Sequence, residues 1–381
     1  VVYLNEAYHP IVGFMNGFVD WLIGGPGSVA ALALALMGVF QPIFHLSDFG
    51  CKIAAVVLIF GITAYNMVGV KLASVVQNVS MIAKMVPVAI ILLAALFVGH
   101  VTPDLSFGSA GVYAAENNTS VFSMIALAVV ASLWAYEGWT NLNTVAEEMK
   151  NPRKNLPLAL IIGIGGVTIL YTLFNFAIMK VLPHEEIAAM IDAGDLYLGT
   201  AVAKKLLGSA GAVVVTVGMV LAMFGSMNGL ILAQPRMYYA MAKEGHFFKS
   251  FTKLNKQKIP YVPVIVQAVI SSALVLLRNL SELTDMVVLS NLLFNVMIVL
   301  AVPILRKKFP NIERPYKVWL YPVSIIFTAI VFVALFVNSA IENPLLGSIG
   351  FTVPALGAVV YWIFDRKLKK EARENKEAND G

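Results

Sequence analysis

Charge is the scarcest property of this sequence. Only 13% of its 381 residues are Asp, Glu, Lys or Arg, against about 25% in a soluble globular chain, and a water-soluble enzyme is thereby excluded. Cysteine is nearly absent. Cys51 stands alone, so no intrachain disulfide can form, and no Cys/His spacing suits a metal. Basic residues are in slight excess, for a net charge of +5. They fall in short clusters between apolar runs and form no continuous basic face, which excludes nucleic acid as a partner. The opening segment, Val1–Pro10, mixes polar and aromatic residues and does not read as a cleavable signal peptide.

What the chain has in abundance is apolar length, with 59% hydrophobic residues and a mean hydropathy of +0.80. A membrane helix needs about 20 mostly apolar residues. Ten uncharged stretches approach that length: Trp21–Leu46, Ile53–Val70, Met85–Pro103, Asn117–Tyr136, Asn155–Met179, Leu206–Pro235, Ile259–Leu277, Met286–Leu305, Val318–Ile341 and Asn343–Phe364. The first extends back to near Val12, with Asp20 close to its lower end. The third extends back to near Ser74, which places Lys84 inside the span. The expected fold class is an all-α polytopic membrane protein embedded in a lipid bilayer, its membrane domain running from Val1 to Asp365. Arg366–Gly381 follows as a charged tail, a frayed helix or disordered.

An even number of crossings puts both termini on one side, and the Lys/Arg bias says which. With the termini inside, 21 Lys and Arg fall in inner segments and 5 in outer ones; both termini are expected to be cytoplasmic. Two overlapping sequons, Asn117-Asn118-Thr119 and Asn118-Thr119-Ser120, fall in an outer loop and carry no meaning in a bacterial protein. His184–Lys205 reads as an amphipathic helix over the outer mouth, and Arg236–Lys258 as an interfacial inner loop.

Three places depart from plain Leu/Ile/Val/Ala. In Trp134-Ala135-Tyr136-Glu137-Gly138-Trp139-Thr140 an apolar run meets an acid and a glycine before the expected inner edge. A helix interrupted inside the bilayer exposes carbonyls on one half and N–H groups on the other, which lipid cannot satisfy. The carbonyl end attracts cations, as in a zwitterion's ammonium group, and secondary transporters put such breaks at substrate sites. The alternative is that the helix simply ends at Tyr136. The second place is Lys84, whose charge near a helix centre costs roughly 2.5–3.5 kcal/mol on insertion scales; it is either functional or snorkels to the inner interface. The third is Phe224-Gly225-Ser226-Met227-Asn228-Gly229, where Gly225 and Gly229 suit close helix packing and Ser226 could instead bond within a site. Gly24-Gly25-Pro26-Gly27 and Gly163–Gly166 read as packing and kink positions.

Trp134-Ala135-Tyr136-Glu137-Gly138-Trp139, followed by Glu147-Glu148-Met149-Lys150-Asn151-Pro152-Arg153-Lys154-Asn155-Leu156-Pro157, gives the chain its resemblance. It resembles the amino acid permeases of the amino acid–polyamine–organocation superfamily, in the branch of the bacterial serine/threonine exchanger and the light chains of heteromeric amino acid transporters. Ile82-Ala83-Lys84-Met85, Arg236 with Ala242-Lys243-Glu244-Gly245-His246, and Glu313-Arg314-Pro315-Tyr316 fit in order. The resemblance implies an inverted-repeat transporter fold of twelve helices. Ten are expected here, the family's third to twelfth, without the first two and the carboxylate-binding break on the first.

It also implies a bacterial plasma-membrane protein that exchanges small neutral amino acids such as serine and threonine, with no cofactor, and that is not an enzyme. Trp134 resembles the aromatic lid over substrate, Ala135 and Glu137 the carbonyls that receive the ammonium group, and Gly138 and Thr140 complete the substrate stretch. Lys84 resembles the lysine that replaces a sodium ion, tied to Ser226. Glu137 stands where relatives have Gly or Asp, and Thr140 where several have Asn. Cys51 precedes Lys52 and does not match the Cys-Pro of the light chains, so no disulfide-linked heavy chain is expected. Proton-coupled uptake through Lys84 or Glu137, or an inactive truncated permease, are the competing readings.

Overall fold

The computed structural model describes residues 1–68, 70–103, 119–139, 142, 149–193, 197–243, 245, 247–314 and 316–380, with the side chains at 70–78, 81–82 and 367–380 outside that description. Among these residues every regular element is helical. A short α1 (Val2–Ala7) leads into α2 (Pro10–Val19), a π-helical turn (Asp20–Gly24) and α3 (Gly25–Phe44), which run on as one apolar rod. Then come α4 (Asp48–Val68), α5 (Val70–Val98), α6 (Val121–Ala135), α7 (Pro152–Met179) and α8 (His184–Asp192). The chain continues as α9 (Leu198–Lys243), a 3₁₀ turn (Lys249–Thr252), α10 (Tyr261–Leu277), α11 (Leu280–Lys308), α12 (Val323–Glu342) and α13 (Pro344–Asp380).

The ten expected spans are each found, because in lipid it is apolar length rather than one-sided periodicity that marks a crossing. Seven helices have the length and hydropathy to cross, and three shorter apolar ones, Ala83–Val98, Val121–Ala135 and Tyr261–Leu277, make up the ten. The chain is an all-α, multi-pass membrane protein. Its helix ends differ from the expected ones. Arg236–Lys243 is the last two turns of α9 and not loop, leaving a shorter connection built on the 3₁₀ turn. His184–Lys205 is not one helix: α8 ends at Asp192, and Leu198 opens a segment joined to the rest of α9 at Gly208, whose φ is +67°. The tail continues α13 as a helix to Asp380.

Hydrogen bonds between distant connections divide the molecule into two ends. At one end Lys308 Nζ donates to the Glu6 carbonyl (2.8 Å), Arg153 pairs with Glu313 (3.2 Å), and Asn255 Nδ2 donates to the Met67 carbonyl (3.0 Å). At the other end Lys52 Nζ donates to the Leu276 carbonyl (3.0 Å), Lys180 Nζ to the Leu96 carbonyl (3.1 Å), and Ser123 Oγ to Glu342 (2.6 Å). Every one of these pairs joins segments placed on the same side by the sequence.

The main core is built from α2, α3, α4, α9, α10 and α11, with Val29, Ile59, Met227, Tyr238, Leu283 and Leu292 fully enclosed. Small residues bring the helices close. A Cβ on Gly25 would strike Gln234 and Tyr238 of α9, and one on Gly27 would meet Val287 of α11, as the packing reading of Gly24–Gly27 expects. Gly163–Gly166 behave otherwise. A Cβ on Gly163, Gly165 or Gly166 meets nothing within 4 Å, and none of the most apolar stretch of α7 is buried. Among the described residues these glycines pack against nothing.

Candidate functional site

Helix α6 is apolar throughout and begins with Ser120 as its cap, the Oγ accepting from the Ser123 N–H at 3.0 Å. It has only 15 residues, about 22 Å of rise, against the roughly 30 Å of a hydrocarbon core. The helix stops at Ala135. Tyr136 N–H donates back to the Leu133 carbonyl and Glu137 N–H to that of Trp134, after which Gly138 turns the chain at φ +106°.

The depth of this stop is set by its neighbour. Tyr136 Oη donates to Thr168 Oγ1 (3.2 Å), and Tyr171 Oη donates to the Ala135 carbonyl (3.2 Å). The two tyrosine rings meet edge to face, 5.3 Å apart. Thr168 lies near the middle of the 28-residue α7, so α6 ends level with the centre of a helix that crosses fully. The sequence offered two readings, a break within the membrane or a helix that simply ends at Tyr136; the described residues show the helix ending at Ala135, and most of the residues that would carry a continuation lie outside them.

Chemically, the end of α6 presents carbonyls. Those of Leu133 and Trp134 are used by the turn, and Ala135 accepts from Tyr171 and keeps a second lone pair. Trp134 is half-buried against the main core. Ala135 and Glu137 are exposed, and Gly138 is partly covered. Thr140 lies outside the described residues.

Lys84 occupies the midpoint of α5, fourteen residues from Val70 and from Val98, deeper than counting from Ser74 suggested. It is half-buried. Pro87, less than one turn later, lacks an N–H and so releases the Ala83 carbonyl beside it from the helix ladder. Lys84 and Ser226 belong to α5 and α9, which pack along one another. Gly225 and Gly218 are both contact points, a Cβ at the first striking Ser80 of α5 and one at the second striking Pro87, as close packing requires. Ser226 is exposed. The structure therefore brings Trp134, Ala135, Glu137 and Gly138 together at the end of α6, and holds Lys84 and Ser226 on a separate helix pair.

One group near this site was not singled out in the sequence. Asp20 opens the π-helical turn between α2 and α3, a feature common at functional sites. Tyr238 Oη, fully buried, donates to the Asp20 carboxylate (3.0 Å) and lies 3.2 Å from its carbonyl. Gln234 and Gln267 bond to each other beside Gly25 (2.9 Å). In the sequence Asp20 falls inside the first span, close to its lower end, with no role assigned to it.

The family whose description is Amino acid permease matches residues 1–364. The Serine/threonine exchanger SteT of Bacillus subtilis (strain 168) is 31% identical, over 84% of this chain and 71% of that protein. The mouse b(0,+)-type amino acid transporter 1 is 30% identical over 86% of this chain and 66% of its own length. The human Cystine/glutamate transporter is 29% identical over 95% and 71%. The chain thus spans about two thirds of the length of these relatives. A family match from Val1 to Phe364, on a chain of ten apolar helices, makes this chain a member of the amino acid permease family.

Proposed function

We propose that the protein exchanges small neutral amino acids, of the serine and threonine kind, across the plasma membrane by alternating access. The observation that carries this reading is the end of α6, level with the middle of α7 through Tyr136–Thr168. Lipid cannot satisfy carbonyls at that depth, whereas a substrate ammonium can. Trp134 then closes over the substrate, Ala135 and Glu137 offer carbonyls to the ammonium, Gly138 makes the turn, and Thr140 lies next along the chain. A mechanism by binding and reorientation needs no cofactor and no bond-making step. Exchange is favoured because SteT is an exchanger by name.

Counterflow in liposomes tests this reading. The protein in liposomes preloaded with unlabelled serine is expected to take up labelled serine transiently against its gradient. Uptake that ignores internal serine and follows an imposed pH gradient would replace exchange by proton coupling.

The orientation is part of the proposal, with both termini and Arg366–Gly381 in the cytoplasm of a bacterial cell. Cys51 is buried within α4, which supports the absence of a disulfide-linked heavy chain. It also leaves a quiet background for labelling. In a Cys51→Ser protein, a cysteine at Lys256 is expected to resist a membrane-impermeant maleimide in intact cells and one at Glu185 to react. The opposite pattern would invert the topology.

A further inference from the structure

At the termini-bearing end of α11 the chain forms an open cavity of about 450 Å³ that the transport reading does not use. It is lined by Arg306, Ile312, Arg314, Lys317 and Val318. Three of these five are cations, and none is an acid. From Arg306 to Lys317 the sequence has five basic residues and one acidic one. That acid, Glu313, is turned to Arg153 on α7 (3.2 Å).

The three cations have different duties. Arg314 donates through both terminal nitrogens to the carbonyls of Leu305, Phe309, Pro310 and Ile312, at 2.6–3.5 Å. It therefore ties the connection to the end of α11 and keeps its charge at the cavity wall. Arg306 stacks on the Tyr321 ring, 3.8 Å from the centroid, which fixes a planar guanidinium without consuming its donors. Such a group suits two oxygens of one phosphate. Lys317 is exposed at the rim and makes no hydrogen bond to a described residue.

What adjoins the cavity is apolar and bare. Trp319 is 75% exposed, Leu320 81%, and Val323 and Phe327, in the first turns of α12, are each 67% exposed. A soluble anion has no use for such a strip, whereas a phospholipid does. Its phosphate needs cations at the membrane surface, and its acyl chains need an apolar track leading away from them. Basic pockets beside membrane helices hold anionic headgroups in this manner, and Trp and Tyr mark the same interfacial level.

We propose that the Arg306–Arg314–Lys317 cavity binds the phosphate of an anionic phospholipid whose acyl chains lie along α12. The site depends only on the chain being embedded in a bilayer, so it stands or falls apart from the transport reading. Full-length protein in neutral detergent would be titrated with fluorescent phosphatidylglycerol, then challenged with unlabelled phosphatidylglycerol, phosphatidylcholine or glycerol 3-phosphate. Phosphatidylglycerol is expected to displace the probe, and the other two to displace it poorly at equal concentration.

Lys317→Gln and Arg306→Gln are each expected to weaken binding about five-fold, the effect of one cation near an anionic lipid. Lys253→Gln, at the same end, should change nothing. Lys317 lies outside any helix, so its variant tests the site even where loss of the Arg306–Tyr321 stack disturbs folding. Displacement by glycerol 3-phosphate as effective as by phosphatidylglycerol would make this a soluble-anion site and overturn the lipid assignment. Equal displacement by phosphatidylcholine, or unchanged affinity in Lys317→Gln, would overturn the cavity as the site.

Discussion

Gly138→Ala is expected to lower exchange by about a hundredfold per molecule while the amount of protein in the membrane stays the same. Gly138 turns the chain at φ +106°, where a side chain costs on the order of 1–3 kcal/mol. The chain can relieve that strain only by opening the turn that follows α6. Opening it shifts the Ala135 carbonyl, held by Tyr171 Oη at 3.2 Å, and with it the Trp134 side chain one residue earlier. A displacement of about 1 Å at a reacting or binding group is enough for a hundredfold loss. The strain is local, so insertion of the ten helices should be spared. Gly61→Ala is the control, since a Cβ at Gly61 on α4 meets nothing within 4 Å. Counterflow normalised to inserted protein gives the answer. A normal rate in Gly138→Ala would mean that the turn below α6 has no part in transport.

The spans could be read from sequence because lipid rewards the same property on every face, so run length alone marks them. Their ends could not. A Lys or Arg after an apolar run looks like a loop, yet cations are favourable in the last turn of a helix. Arg236–Lys243 accordingly continues α9, and Arg306–Lys308 closes α11. Asp20 falls inside the first span by sequence, near its lower end, and the structure agrees: α2 begins at Pro10, which leaves Asp20 within the rod, where Tyr238 donates to it.

The end of α6 before Glu137-Gly138 was legible because an acid and a glycine both disfavour an apolar helix, and its depth was not. Only the bonds from Tyr136 and Tyr171 to and from α7 set that depth, and these join residues more than thirty positions apart. Gly163–Gly166 mark the converse limit. Glycine announces that something can approach closely, without naming the partner, and among the described residues nothing does.

Lys84→Ala is expected to reduce exchange at least tenfold without lowering, and even while raising, the amount of protein inserted. Lys84 stands at the centre of the 29-residue α5, about 21 Å of helix from either end. Holding an ammonium there costs roughly 2.5–3.5 kcal/mol on insertion scales, so removal alone should ease insertion. What the charge can supply is the attraction that a bound cation would give to facing carbonyls and hydroxyls. The Ala83 carbonyl released by Pro87 is next to it in sequence, and Ser226 is on the helix packed against α5. A fixed ammonium needs no ion gradient, so exchange by the unaltered protein should persist when sodium is replaced by choline. If the side chain instead snorkels to the inner surface, Lys84→Ala would be silent in rate and change expression alone. Lys84→Arg separates the two further. Arginine keeps the charge and reaches the surface at least as well, but its planar fork replaces a compact ammonium. Full activity in Lys84→Arg together with full activity in Lys84→Ala would remove the lysine from the mechanism. Loss in both would tie it to a site shaped for an ammonium.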